Sequence, residues 1–309
     1  MTSPAAEPRP MHALPDCLVG ANPIIWSNDD FDDLAGNVPL DDILRDMRSA
    51  GYAGTELGHA YPRNAVQLGA ALQRHDLRLI SGWHSTRLAS RPLAEEEAGF
   101  LGHLRLLQAL GAGVIIIAEC THAVHGRRGT PLGYGPDDRR GLQETEWARV
   151  VAGLEHLAKV ARNEGMQLAY HHHMGTVIQS ADELDRLLAA VPATGLLFDP
   201  GHLAFAGIDP LAVMERYGPR IVHVHLKSAR AGIIARSRRE RWSFYRAVTE
   251  GVFTIPGDGM VDFPAIFARL AALNYAGWLV VEAEEDPVKV PALPKACKAR
   301  EYVRTHAGA

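Results

Sequence analysis

At 309 residues, 47% of them hydrophobic, the chain can form one large domain or two ordinary ones. Its formal net charge of −4 offers no basic face to a polyanion, so nucleic acid is not an expected partner. Cys17, Cys120 and Cys297 lie far apart without a Cys-x-x-Cys spacing, which argues against a disulfide framework and for a reducing compartment.

No stretch reaches the roughly 18 apolar residues of a membrane span, and no basic-then-apolar leader is present, so the expectation is a soluble cytoplasmic protein. Residues 1–16 hold Pro4, Pro8, Pro10 and Pro15 among few large apolar groups and read as a flexible arm. From residue 17 to 309 short apolar runs alternate with stretches of helical period. Strands are expected at 17–21, 53–57, 77–82, 114–118, 167–171, 195–198, 220–225 and 278–282, most of them apolar throughout, as parallel strands buried on both faces are.

Between them, Pro39 opens a helix carrying Ile43, Leu44 and Met47. Trp147, Val150, Val151, Leu154, Leu157, Ala158 and Ala161 stripe another, which Gly165 ends. Ile266, Leu270 and Leu273 share a face of the last crossover helix. Eight such units predict a single-domain (β/α)8 TIM barrel, and the Gly-x-Gly-x-x-Gly turn of the commonest open sheet is missing. Long connections at 121–144 and 228–262 fall on the end of the barrel where active sites sit.

Four successive strands, the fifth to the eighth, finish on His171, Asp199, His225 and Glu282. Two imidazoles and two carboxylates at one barrel mouth suit a divalent first-row ion, manganese or cobalt, with iron and zinc as alternatives. Strand alternation splits the run Tyr170-His171-His172-His173: His171 and His173 share a face, and His172 points to the helices as a structural residue. The same parity gives two inward histidines on the seventh strand, His225 as ligand and the deeper His223 as a hydrogen-bonded interior residue. Glu119, after the fourth strand, and Glu56, within the second, are carboxylates that need partners or a site. Trp26, Asn28, His59, Trp83 and His84, at other strand ends, together with Glu56 form the expected polyol pocket. Arg230, Arg236, Arg238, Arg239 and Arg241 could grip a phosphate, but the interspersed Ile233, Ile234 and Trp242 favour a solvated helix face. Asp258, in Pro256-Gly257-Asp258-Gly259, is a turn residue or a support to the site.

Asp199-Pro200-Gly201-His202, His225-Leu226-Lys227, Pro256-Gly257-Asp258-Gly259 and Glu282 resemble the xylose-isomerase-like TIM barrels, a superfamily of sugar isomerases, epimerases, dehydratases and endonuclease IV. The segments 22–30, 55–59 and 169–176 resemble the inosose dehydratase family within it, and the likeness runs from about residue 17 to 291. The superfamily places a glutamate ligand at the fifth strand end, where this sequence has His171. Either His171 or Glu119 completes the ligand set.

The resemblance implies a metal-dependent hydro-lyase of inositol catabolism that converts 2-keto-myo-inositol (scyllo-inosose) to a trihydroxycyclohexane dione. His173 and Glu119 are then base and acid in an unassigned order, and His202 and Lys227 hold the carbonyl or hydroxyls. A ketose isomerase or epimerase is the alternative, because the same enolate can be reprotonated. A relative of endonuclease IV is disfavoured by the acidic charge, and self-association is left open.

Overall fold

Residues 14–31, 34, 38–135 and 138–309 are described by the computed structural model. Eight parallel strands close a barrel: β1 (Leu18–Ala21), β2 (Gly54–Leu57), β3 (Arg78–Thr86), β4 (Val114–Glu119), β5 (Gln167–His171), β6 (Gly195–Phe198), β7 (Ile221–Leu226) and β10 (Trp278–Val281). Closure comes from β1 against β10, where Leu18 pairs with Trp278 and Ala21 with Val281. Two short strands, β8 (Ser228–Ala229) and β9 (Phe253–Thr254), form an antiparallel ribbon apart from the barrel.

All eight expected strands are present, within a few residues at their ends. The largest difference is β3, which runs on to Thr86 and pairs there with Glu119. Helix Leu40–Ser49 starts after Pro39, and helix Glu144–Asn163 buries Val150, Leu154, Leu157 and Ala161 against the sheet. Gly165 follows it at φ +75°, a conformation that favours glycine.

Most of the arm expected at 1–16 lies outside the described residues. Its end differs from expectation: Leu14 is buried, and its N–H donates to the Ala307 carbonyl at 2.8 Å. That carbonyl ends the helix Ala292–Ala307, which carries no strong sequence signal and buries Ala296, Ala299 and Val303.

Segment 228–262 is a built subdomain instead of an open loop. It contributes the ribbon and the helices Ala231–Arg239 and Phe244–Thr249, and Trp242, Phe244 and Phe253 join Leu132, Met174 and Phe205 in a second apolar cluster. Of the arginine cluster, Arg236, Arg238 and Arg239 lie on the helix, where Arg236 pairs with Glu240 (3.0 Å) and Arg238 donates to the Phe205 carbonyl (2.9 Å); Arg241, just past it, pairs with Asp138 (3.2 Å), and Arg230, at its N-terminus, departs from the expected solvated face and pairs with Glu285 (2.9 Å). Asp258 pairs with Lys298 at 2.8 Å, away from the barrel interior. No helix among the described residues is long and apolar enough to cross a membrane.

Inside the barrel Val114, Ile116, Ala169 and Leu197 form a small apolar plug. Ala169 and Leu197 stand two residues before His171 and Asp199, so strand parity puts those two polar groups on the same inward face, one layer nearer the mouth.

Candidate active site

A cavity of about 260 Å³ opens at the C-terminal end of the strands. Its lining includes Asn22, Asp29, Asp30, Glu56, His59, Trp83, Ser85, His125, His171, His173, His225, Glu282 and Glu284.

The expected ligand group converges here. Asp199 caps the helix Pro200–Ala206, and its Oδ1 accepts the His202 N–H at 2.9 Å. Its second oxygen is thereby aimed at the site. Oδ2 lies 3.6 Å from His171 Nε2 and 3.4 Å from His225 Nδ1, and Glu282 Oε2 is 2.5 Å from the same Nδ1. Burial opposes ionisation of Asp199, yet the charges of Lys227 and His202 hold its carboxyl well below the usual range. Burial would likewise lower His225, but Glu282 and Glu56 raise it well above the ordinary imidazole value.

Two observations test whether this group fits a cation. Asp199 Oδ2 is buried and accepts no hydrogen bond. His171 donates its Nδ1–H to the His172 carbonyl at 2.5 Å, so in the neutral form of the ring the Nε2 that faces Asp199 is an acceptor. Acceptors facing one another in a buried site repel unless a proton or cation joins them. His171, Asp199 and His225 each bring a ligand atom within 4.8 Å of the others, and their chemistry fits a divalent ion.

A second group adjoins it. His173 donates Nδ1–H to the Met174 carbonyl at 2.8 Å, which leaves Nε2 as its acceptor. Burial, then His125, His171 and Lys227, hold this imidazole well below its usual range, so it is neutral. His202 and Lys227 do not line the cavity. Lys227 Nζ is fully buried behind it, 2.5 Å from Glu282 Oε1, 2.9 Å from Glu284 Oε2 and 3.0 Å from His202 Nε2. His202 is wedged between the His173 and Phe253 rings, at centroid distances of 4.0 and 4.7 Å. Both residues expected to hold substrate therefore stand one layer back and set the charge and position of those that face it.

His172 and His223 take the structural roles expected of them: His172 donates to the Gln179 carbonyl at 2.5 Å, and His223 Nε2 binds Glu56 Oε1 at 2.7 Å. His59 stands at the mouth, 2.6 Å from Asp29 Oδ1. Trp83 sets its ring 5.5 Å from both His171 and His173.

Besides His202 and Lys227, four more expected site residues are not brought to the cavity lining. Glu119 points outward because Val114 and Ile116 hold the inward parity of β4, and its oxygens accept from Thr86 Oγ1 (2.9 Å), Leu88 N–H (2.9 Å) and Thr121 N–H (3.0 Å). It is neither a cavity acid nor the fourth ligand. His84, next to the inward Trp83, packs beneath a helix against Phe100 and His103. Trp26 is core and donates Nε1–H to Asp46 at 3.1 Å. Asn28 caps its own loop, accepting from the N–H groups of Asp30 and Phe31 at 2.8 Å each. In their place Asn22, Asp29, Asp30, Ser85, His125 and Glu284 line the site. Strand parity could have found Glu284, two residues beyond Glu282, whereas the loop residues carry no such signal.

The fold and this constellation define a TIM barrel with a candidate metal group at its mouth. The family described as "Xylose isomerase-like TIM barrel" matches residues 44–306, and the chain belongs to it. Over 292 residues it is 40% identical to the inosose dehydratases of Clostridium beijerinckii and Bacillus thuringiensis, spanning 94% of this chain and 97% of each relative. That similarity puts it in the inosose dehydratase family, whose members are hydro-lyases. The fold is shared with the probable 3-DHS dehydratase of Bacillus anthracis (TM-score 0.68, 14% identity, 93% of this chain and 98% of that one). It is shared also with the D-allulose 3-epimerase of Methylomonas sp. (TM-score 0.64, 20% identity, 93% and 96%).

Proposed function

We propose that the protein removes water from a keto-cyclitol, 2-keto-myo-inositol (scyllo-inosose), to give a trihydroxycyclohexane dione in inositol catabolism in the cytoplasm. The observation that carries this reading is His173, which donates Nδ1–H to a backbone carbonyl and keeps Nε2 as an acceptor, in the same cavity as the candidate ligands His171, His225 and Glu282. In the reaction a proton leaves the carbon α to the ketone, the β-hydroxyl departs as water, and the resulting enol becomes the dione. Nε2 of His173 accepts the α-proton, a task that needs an unprotonated imidazole within reach of the substrate.

Protonation of the leaving hydroxyl falls to a carboxyl of the lining. Asp30 is held well above the usual range by burial and by Glu284 and Asp29. Glu284 is raised by burial, with Glu282 adding to it against Lys227. His171, Asp199, His225 and Glu282 would hold a divalent ion, manganese or cobalt, whose Lewis acidity stabilises a developing enolate oxygen. Trp83 offers an apolar wall to a ring face, and Asn22, His59 and Ser85 offer hydrogen bonds to hydroxyls. The carboxylates of the lining disfavour a polyanionic ligand, which speaks against a nucleic-acid substrate.

Purified protein supplied with Mn²⁺ or Co²⁺ and scyllo-inosose is expected to produce an ultraviolet-absorbing dione, and a chelator to stop it. Solvent deuterium entering the recovered substrate, with no dione formed, would instead make the enzyme an epimerase or isomerase.

A further inference from the structure

Glu56 lies at the edge of the cavity, but its oxygens are already engaged by four residues from three strands or strand ends. Oε1 accepts from Ser81 Oγ at 2.6 Å, His223 Nε2 at 2.7 Å and His225 Nε2 at 3.2 Å, and Oε2 accepts from Asn22 Nδ2 at 2.7 Å. An oxygen has two lone-pair positions, so Oε1, with three donors, has none left for a substrate hydroxyl. What the arrangement does control is the ring of His225.

We propose that Glu56 is a positioning residue that assigns Nδ1 of His225 as its metal-binding atom. The inference rests on the metal reading of the site given above. A ligating imidazole is neutral and carries one N–H, so in the cation-bound site the two carboxylates, one at each ring nitrogen, compete for it. Glu282 Oε2, 2.5 Å from Nδ1, favours the tautomer that keeps its hydrogen on Nδ1 and so cannot bind a cation there. Glu56 favours the tautomer with hydrogen on Nε2, which turns a bare Nδ1 toward Asp199 Oδ2 and Glu282 Oε2. Only the second makes His225 a ligand from this ring position. Ser81, His223 and Asn22 keep the Glu56 carboxylate in place, so four residues of the barrel interior act through one hydrogen bond. Partners that orient a ligating histidine in this way typically account for roughly 10–100-fold in metal affinity.

The test uses the whole chain after chelator treatment. Co²⁺ titration followed by visible absorption is expected to show Glu56→Gln binding ~10–100-fold more weakly than wild type, with an unchanged far-ultraviolet spectrum. Independently of any variant, long-range ¹H–¹⁵N spectra of Zn²⁺-loaded wild type are expected to show His225 protonated on Nε2 with Nδ1 on the metal. Equal Co²⁺ affinities, or Zn²⁺ on Nε2, would overturn the assignment while leaving the metal site standing. Failure of the wild type to bind either ion would remove the metal reading itself, and the assignment with it.

Discussion

Replacing Glu119 separates a structural carboxylate from a catalytic one. In Glu119→Ala three donors lose their acceptor, the hydroxyl of Thr86 and the backbone N–H groups of Leu88 and Thr121. The hydroxyl keeps a second acceptor, the Ala118 carbonyl at 3.1 Å, so two buried N–H groups remain unpaired. At roughly 1–3 kcal/mol for each orphaned group, the loss is about 2–6 kcal/mol, a large share of a typical folding free energy. Glu119→Gln keeps one acceptor oxygen and should lose about half as much. Some of that is offset because burial pushes the Glu119 carboxyl upward, so the charged form is itself held at a cost. Equilibrium urea unfolding measures the stability, and turnover is measured well below the unfolding range. Both variants should turn over without the ~10²–10⁴-fold loss that accompanies removal of a general acid. A Glu119→Gln protein with a wild-type unfolding curve and a rate reduced about a hundredfold or more would refute this account.

At the metal group, Asp199→Asn keeps the shape but replaces an anionic ligand; bound metal, read by elemental analysis, and turnover should fall together. The parity of the triple histidine is tested by comparing neighbours. His171→Ala should abolish metal binding, while His172→Phe should retain it and lower stability by about 1–3 kcal/mol through the Gln179 carbonyl it leaves unpaired. Metal retention in the first variant, or metal loss in a folded second, would reverse the assignment. Stability should also fall in acid because of His84 and His103, which burial holds near pKa 4. Their folded values lie below the ordinary 6.5, so the unfolded chain binds more protons between pH 6.5 and 4. The stability they permit above that window is therefore lost as pH falls through it, by up to about 3 kcal/mol per histidine. His103→Phe should flatten the acid limb of the unfolding free energy, and an unchanged slope would show that His103 does not titrate this way.

Where side chains alternate along a strand, the sequence already contains the site. Parity applied to the fifth strand separates His171 and His173 from His172, and on the seventh it puts His223 and His225 together on the inward face, at different depths; the structure has both arrangements. Glu119 and His84 depart from expectation because their strand-end positions alone, without parity, suggest the mouth. Glu119 is one residue past the inward Ala118 position of β4, and His84 sits between the inward Trp83 and Ser85. A carboxylate or imidazole at a strand end is ambiguous by one position, and one position moves it from the mouth to the helix layer. Elements without a period are illegible for another reason. The ribbon and helices of 228–262 are ordered by the cluster around Phe244 and Phe253, a tertiary contact with Met174 and Phe205 that no local pattern announces.

On the eighth barrel strand, parity extends past the end of the apolar run. Val281 ends the strand, so Glu282 reads as the last inward residue, but Glu284 continues the same face while Glu285 turns out to meet Arg230. Two neighbouring inward carboxylates beside Asp199 make a cluster too acidic to be buried alone. That need accounts for Lys227, a fully buried ammonium in contact with Glu282 and Glu284 and 3.5 Å from Asp199. Its place behind these carboxylates, out of the cavity lining, is that of a fixed countercharge: it lets Asp199 and Glu282 stay ionised, as the proposed ligands of a cation must be.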